Sequence, residues 1–372
     1  MKIGIYGGTF NPPHNTHVNI ARQAAIQLKL DKLVIVPGGL PPHKFCGTDK
    51  QSRFAMAKLA FENLDCGNTE VVVSDIELLR DGKTYTSDTV KYFADLYPEA
   101  TLYLIVGGDS LQQFDAWHCP QEIAKYVTLA VAARGVELQQ SQLQRFAQKY
   151  GSLPAVVDVT PDNASSSEIR LRYQFGLDVD NVPSAVDRFV KENGLYAMYR
   201  PLAEKLRGYL KPQRFSHTFY VVKRGLELCP DHLRDKTFVT CLLHDCAKYI
   251  TADKYAHYGF VRPDDMPEPV VHAFLGELVA KQDFGITDEE VLQAIRYHCT
   301  ARPQMTELDM IVYVADKTEE TRPYPVEHLL KGSLTDMFKA CLEEANQYCL
   351  TKHGEKVYYL TLQALQYYGL TK

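Results

Sequence analysis

The chain has 372 residues, of which 45% are hydrophobic and 23% charged, with a formal net charge of −5. That length exceeds one ordinary core and suits two domains, and the acidic balance leaves no basic footprint for nucleic acid. No stretch approaches the roughly 18 apolar residues of a membrane span.

The first half alternates strand-like and helix-like runs. KIGIY (Lys2–Tyr6), KLVIV (Lys32–Val36), Val71–Val73, LYLIV (Leu102–Val106), Thr128–Ala132 and Val156–Val159 read as strands. Helical patterns fall between them at Thr16–Leu28, Gln51–Leu64 and Ser87–Tyr97. Apolar strands separated by helices imply a doubly wound α/β domain with a parallel sheet covered on both faces. Near Tyr199-Arg200-Pro201 the strand-like runs stop and helical periodicity takes over, so the domains are expected to be residues 1–200 and 201–372. The clearest later helices are Phe215–Cys229, Lys236–Tyr249, Val270–Phe284, Asp288–Cys299 and Leu308–Lys317. They imply an all-α second domain, with prolines 263, 267 and 269 punctuating one loop and 323 and 325 another.

The nine cysteines form no CxxC and suggest neither a disulfide framework nor a zinc knuckle. The opening MKIGIYGGTF does not read as a signal peptide. A reduced cytoplasmic protein is the expectation.

The most informative stretch is Gly7-Gly8-Thr9-Phe10-Asn11-Pro12-Pro13-His14-Asn15-Thr16-His17, which leaves the first strand and enters the first helix. Glycines allow close backbone approach to an anion, and a helix start offers it unpaired N–H groups. His14 and His17, three apart, share one side of that start. They can donate to a polyphosphate and to charge growing on a leaving pyrophosphate. The spacing is neither the dinucleotide-binding G-x-G-x-x-G nor the G-x-x-x-x-G-K-[ST] phosphate loop. Taken alone, the motif could be a glycine turn with two surface histidines.

GGTFNPPHNTH, PPHK (Pro41–Lys44), KTYTSDT (Lys83–Thr89), VGGDSLQQFDAW (Val106–Trp117), SSSEIR (Ser165–Arg170) and VPSAVDRFVKENGLY (Val182–Tyr196) occur in that order. Together they resemble the nicotinate-mononucleotide adenylyltransferase family over residues 1 to about 198. The resemblance implies transfer of AMP from ATP to nicotinate mononucleotide, by in-line attack of the mononucleotide phosphate on the α-phosphorus. It implies that Gly8, Thr9, His14 and His17 contact the ATP phosphates, with Gly7 and Phe10 also in the nucleotide site. Ser166, Ser167 and Arg170 would hold those phosphates from the other side. The backbone around Tyr85 and Thr86 would receive the nicotinate carboxylate and Trp117 would stack on the pyridine ring. Gly107 and Asp109 would lie near the nucleotide, with Lys44 and Arg134 as further contacts. Mg²⁺ would arrive with ATP. The alternatives are a core role for Trp117 and a solvated helix charge for Arg170. Thr16 stands where the resemblance puts glycine, adding a side chain where phosphates approach. The late motif reads Ala164-Ser-Ser-Ser instead of the usual isoleucine and threonine. A different adenylyltransferase, such as the pantetheine-phosphate enzyme, is the main rival, and Trp117 with Tyr85-Thr86 argues against it.

In the second half, His217, His244-Asp245, His272, His298 and Asp316 fall on helices or helix ends at intervals of 18 to 27 residues. Such intervals suit one ligand per helix converging on a bundle interior, and imidazole with carboxylate favours transition metals. HDCAKY (His244–Tyr249), AIRYHCTARPQM (Ala294–Met305) and VADKTEETRPYP (Val314–Pro325) resemble the HD phosphohydrolase superfamily. The likeness is to the branch that cleaves diadenosine tetraphosphate to two ADP. The resemblance implies two transition-metal ions, usually iron in relatives. His217, His244, Asp245 and Asp316 would be the core ligands, with His272 and His298 on the second ion. Lys248, Arg302 and Arg322 would clamp phosphate. Cys246 and Cys299 read as packing residues, although Cys299 stands where relatives usually carry threonine, which raises local redox sensitivity. A deoxynucleotide triphosphohydrolase, a guanosine-tetraphosphate hydrolase and a nucleotide-sensing module stay open. The expected partners are small nucleotides, neither nucleic acid nor membrane, and no motif speaks to oligomeric state.

Overall fold

A computed structural model describes residues 1–39, 47–80, 82–134, 140–160, 164–352 and 357–371, without the side chains of Arg134 and Lys352. The chain divides into two compact units, one of Met1–Tyr173 and Leu177–Ala197, the other of Gln174–Gly176 and Met198–Lys372.

The first unit is built on six parallel strands: β1 (Lys2–Gly8), β2 (Lys32–Pro37), β3 (Glu70–Val73), β4 (Thr101–Gly107), β5 (Thr128–Arg134) and β6 (Ala155–Val159). Their spatial order is β3-β2-β1-β4-β5-β6. The helices are α1 (Asn15–Leu28), α2 (Lys50–Phe61), α3 (Thr86–Leu96), α4 (Gly108–Gln113), α5 (Pro120–Tyr126), α6 (Gln140–Tyr150), α7 (Ser166–Gln174) and α8 (Ser184–Glu192). Strand side chains alternate between faces, and both faces are buried. Leu33 and Ile35 of β2 pack with Ile20, Ala24, Ala57 and Phe61 on one side. Val34 and Val36 pack with Val90, Phe93, Ile123 and Phe146 on the other. A buried strand therefore reads as an unbroken apolar run.

The second unit is helical: α9 (Arg200–Arg207), α10 (Pro212–Leu228), α11 (Arg234–Leu243), α12 (Glu268–Gln282), α13 (Glu289–Tyr297), α14 (Glu307–Thr318), α15 (Leu334–Lys352) and α16 (Tyr359–Tyr367). Helix α10 packs on α11 and α14, while α13 packs on α11, α12 and α14. Gly225 is what lets α10 and α11 approach, because a Cβ there would lie 2.6 Å from Cys241 Sγ. The helix expected over Lys236–Tyr249 stops at Leu243, and that expected over Asp288–Cys299 stops at Tyr297. In both, the next residue is a histidine whose ring bonds back to the last turn. Pro269, expected in a loop, sits instead in the first turn of α12, where its missing N–H costs nothing. Among the described residues no helix is long and apolar enough to cross a membrane, and the described cysteines are free thiols.

Candidate functional site

Strands β1 and β4 are neighbours although two strands separate them in sequence, so the order of the sheet reverses between them. In open α/β sheets ligands bind outside the carboxyl ends of the strands at such a reversal. The glycine motifs end these two strands: Gly7 and Gly8 close β1 and Gly107 closes β4. Two of them leave little room for a side chain. A Cβ on Gly107 would lie 2.5 Å from Asp109 Oδ1, and one on Gly8 would lie 2.9 Å from the Phe10 ring.

His14 caps α1, and its ring centroid lies 3.8 Å from that of His17. The His14 backbone N–H donates to His17 Nδ1 at 3.2 Å. A neutral His17 that accepts at Nδ1 carries its proton on Nε2, which makes that nitrogen a donor. The SSSEIR segment meets the same loop across the fold. Ser166 Oγ donates to Pro12 O at 3.0 Å, and Arg170 donates to Asn11 O at 2.7 Å and to Ser167 Oγ at 3.2 Å. Arg170 is therefore fixed against the loop, not a loose helix charge. Phe10 is only 2% exposed and packs edge-on to Phe61. Its side chain is core and would not itself line the nucleotide site. Thr16, expected to crowd the phosphates, is 1% exposed and belongs to the packing.

One residue of this loop region carried no motif. Arg53, 2% exposed, donates to Thr9 O at 3.2 Å, Gly38 O at 2.5 Å and Gly39 O at 2.6 Å. It ties the loop after β1 to the loop after β2. Its signal was its register: Arg53 shares the buried face of α2 with Met56, Ala57 and Phe61.

A cavity of about 340 Å³ lies beside the start of α3, lined by Tyr85, Thr86, Gln113, Ala116, Trp117, His118 and Ile123. Trp117 is only partly buried, with its ring 5.4 Å from Phe114. Tyr85 stacks on His118 at 4.2 Å, and Ser87 Oγ lies 3.2 Å from His118 Nδ1. The cavity thus joins flat aromatic walls to a helix N-terminus, a combination suited to a planar anionic ring. Gln113 and His118 were not anticipated. Lys44 and the side chain of Arg134 lie outside the described residues.

In the helical unit, six ligand-type side chains from five helices or helix ends converge. His217 Nε2 lies 3.2 Å and His244 Nε2 3.8 Å from Asp316 Oδ1. Asp245 Oδ1 lies 2.9 Å from His272 Nε2 and 3.8 Å from His298 Nε2. The surroundings fix the histidines: His244 Nδ1 donates to Cys241 O and His298 Nδ1 to Ile295 O, both at 2.7 Å. A carbonyl can only accept, so in its neutral form each ring turns an Nε2 lone pair inward. His217 Nδ1 meets Glu319 Oε1 at 3.1 Å, a carboxylate partner sequence reasoning missed. The buried Nε2 atoms of His217 and His244 make no hydrogen bond among the described residues. Lone pairs and carboxylates gathered around one buried point fit a cation. Burial opposes charge on Asp245, yet His244, His272 and His298 hold its carboxyl well below the usual range. Burial likewise opposes charge on Asp316, and Lys317, His217 and Arg322 outweigh it. Burial holds the His244 imidazole down, which keeps it a neutral ligand type.

The three expected phosphate clamps separate. Lys248 Nζ lies 3.3 Å from both ring nitrogens of His272, and Arg322 donates to Asp316 Oδ1 at 2.7 Å. Arg302 instead pairs with buried Asp309 at 2.8 Å, where that carboxylate caps α14. Both arginines are thus already paired with carboxylates, Arg322 with one that belongs to the ligand set. Cys246, as expected, is buried packing. Cys299 is not: its Sγ lies 3.3 Å from His272 Nε2 and 3.2 Å from His298 Nε2.

Fold and sites define a nucleotidyltransferase-like α/β unit followed by an HD-type helical unit. Residues 5–172 match the cytidylyltransferase-like family model, and residues 214–321 match that of the HD domain. A "probable nicotinate-nucleotide adenylyltransferase" from Clostridium tetani is 35% identical over 201 residues, covering 52% of this chain and 98% of that protein. A "probable nicotinate-nucleotide adenylyltransferase/Ap4A hydrolase" from Mycoplasma genitalium is 29% identical over 330 residues, covering 87% and 88%. A crystal structure titled a "predicted HD superfamily hydrolase involved in NAD metabolism", from Clostridium acetobutylicum, is 26% identical, covers 47% of this chain and 98% of that one, and has a TM-score of 0.42. The chain belongs to the nicotinate-nucleotide adenylyltransferase family and carries an HD domain after it.

Proposed function

We propose that the chain is bifunctional, with its α/β unit transferring AMP from ATP to nicotinate mononucleotide and its helical unit hydrolysing diadenosine tetraphosphate to two ADP. The observation that carries the first activity is the meeting of His14, His17, Ser166 and Arg170 around one loop at the sheet reversal. The mononucleotide would lay its ring in the Tyr85–Trp117 cavity, with its carboxylate at the N-terminus of α3. Its 5′-phosphate oxygen then bonds to the α-phosphorus of ATP as the bond to pyrophosphate breaks. His17 Nε2–H and the Arg170 guanidinium would donate to charge moving onto the leaving group. Positioning and such donors carry this chemistry, with no covalent intermediate on the protein. Mg²⁺ would enter on the ATP phosphates, as neither histidines nor glycines form an oxygen cage for it. Purified protein given ATP and nicotinate mononucleotide should release pyrophosphate and the dinucleotide, and a sole product from another acceptor would overturn the assignment.

The second activity rests on the convergence of His217, His244, Asp245, His272, His298 and Asp316. Metal ions held there would activate water and offset charge on the bridging phosphates. The protein itself supplies Lys248 and Arg322 beside the ligands, as fixed positive charge for the polyphosphate. Incubation with diadenosine tetraphosphate, a deoxynucleotide triphosphate and guanosine tetraphosphate, resolved by chromatography, tests the substrate. ADP from the first alone is the expected outcome.

A further inference from the structure

We propose that Cys299 is a metal ligand, completing with His272 and His298 a soft position beside the one formed by His217, His244 and Asp316. The ligand atoms of His272, His298 and Cys299 all lie within 4.8 Å of one another. Sγ stands 3.3 Å from one Nε2 and 3.2 Å from the other. Around a tetrahedral ion with bonds of about 2.0 Å to nitrogen and 2.3 Å to sulfur, neighbouring ligand atoms stand about 3.4–3.6 Å apart. The spacing found is close to that, and small rotations of the side chains would open the rest.

Hydrogen bonding accounts for only part of this arrangement. A thiol has one proton, which could go to His298 Nε2 while His272 turned to Asp245 Oδ1 at 2.9 Å. That leaves His244 Nε2 unexplained. It is wholly buried, makes no hydrogen bond among the described residues, and groups with Asp245 and His298 at ligand distances. The ion on His217, His244 and Asp316 would satisfy that nitrogen, and the position on His272, His298 and Cys299 lies beside it across Asp245. Asp245 lies between them, its Oδ1 facing His272 and His298 and its Oδ2 3.4 Å from His244 Nε2.

A thiolate at this position has two consequences. It favours iron, cobalt or zinc over magnesium or calcium, which prefer oxygen. It also places an oxidisable ligand inside a hydrolytic centre, so oxidation would release metal without touching the α/β unit. The inference rests on the two-ion reading of the helical unit, and its test separates the two.

The full-length protein, stripped of metal, is titrated with Co²⁺ while near-ultraviolet absorption and bound cobalt per chain are measured. Ligation predicts a sulfur-to-cobalt charge-transfer band that Cys299→Ser abolishes and Cys246→Ser keeps. Cys299→Ser should also bind one cobalt at least 10–100-fold more weakly, about the loss expected for disturbing a ligand's surroundings alone. Cys299→Thr serves as a second variant, with circular dichroism to verify folding. Two bound cobalt ions without the band would overturn the ligand assignment and leave the two-ion reading standing. A band unchanged in both Cys299 variants would overturn it as well. One bound ion whose band needs Cys299 would uphold the ligand and overturn the two-ion reading.

Discussion

His244 and His298 occupy the same position on two different helices: each follows the last residue of its helix, and each donates Nδ1–H to the carbonyl three residues back at 2.7 Å. Their rings meet edge to face at 5.1 Å. One bond thus ends a helix, satisfies a terminal carbonyl and sets the tautomer that a metal requires. His298→Ala should lower bound metal from about two ions per chain toward one. It should abolish release of ADP from diadenosine tetraphosphate and leave adenylyl transfer unchanged. Metal analysis of anaerobically prepared protein checks this, and undiminished metal content would refute the assignment.

His17→Ala should cut adenylyl-transfer turnover by about 10²–10³, because it removes a donor to charge that grows in the transition state. The change also removes the acceptor of the His14 N–H at the start of α1, so the thermal transition should fall modestly while the fold is kept. Steady-state kinetics with wild-type turnover would contradict the role.

Trp117→Ala should behave differently. Its ring walls the cavity beside α3 and does not reach the phosphate loop's hydrogen bonds. The expected result is a raised KM for the mononucleotide with the KM for ATP and kcat nearly unchanged.

Arg53→Met keeps the length of the side chain but leaves the carbonyls of Thr9, Gly38 and Gly39 without their buried donor. Each orphaned buried acceptor costs about 1–3 kcal/mol. The melting temperature should fall and the KM for ATP should rise together, since one side chain holds both loops. Arg53→Lys should rescue neither fully, because an ammonium cannot reproduce the planar fork. Calorimetry and kinetics on the two variants decide.

Phe175 is fully buried among Phe215, Phe219 and Phe238, with ring centroids 5.6, 5.2 and 6.1 Å away, and Arg207 donates to its carbonyl at 3.3 Å. The helical unit therefore takes part of its core from a segment that precedes α8 in sequence. A fragment of residues 198–372 should unfold at a lower temperature than the same unit in the full chain. Phe175→Ala in the full chain should cost that unit about 3–5 kcal/mol. Equal transitions in fragment and full chain would show that the ring contributes little.

The elements and their chemistry were written in the local pattern of the chain. Six apolar runs became the six strands: the inner ones because a strand buried on both faces rarely carries polar residues, the half-exposed edge strands β3 and β6 by their valine-rich sequences. The histidines and carboxylates of the helical unit were legible for a related reason: polar groups set into apolar helical registers need partners. Which groups meet emerged with the packing alone. Arg53 looks like any surface arginine until three carbonyls from two loops close on it, and neither Arg302 nor Arg322 announces the carboxylate, Asp309 or Asp316, that it pairs with. Cys299 looks like packing until His272, 27 residues earlier, arrives beside it. Such pairings depend on how helices cross and where they stop. Those are set by close approaches such as Gly225 against Cys241 and by caps such as His244, which no local pattern along the chain records.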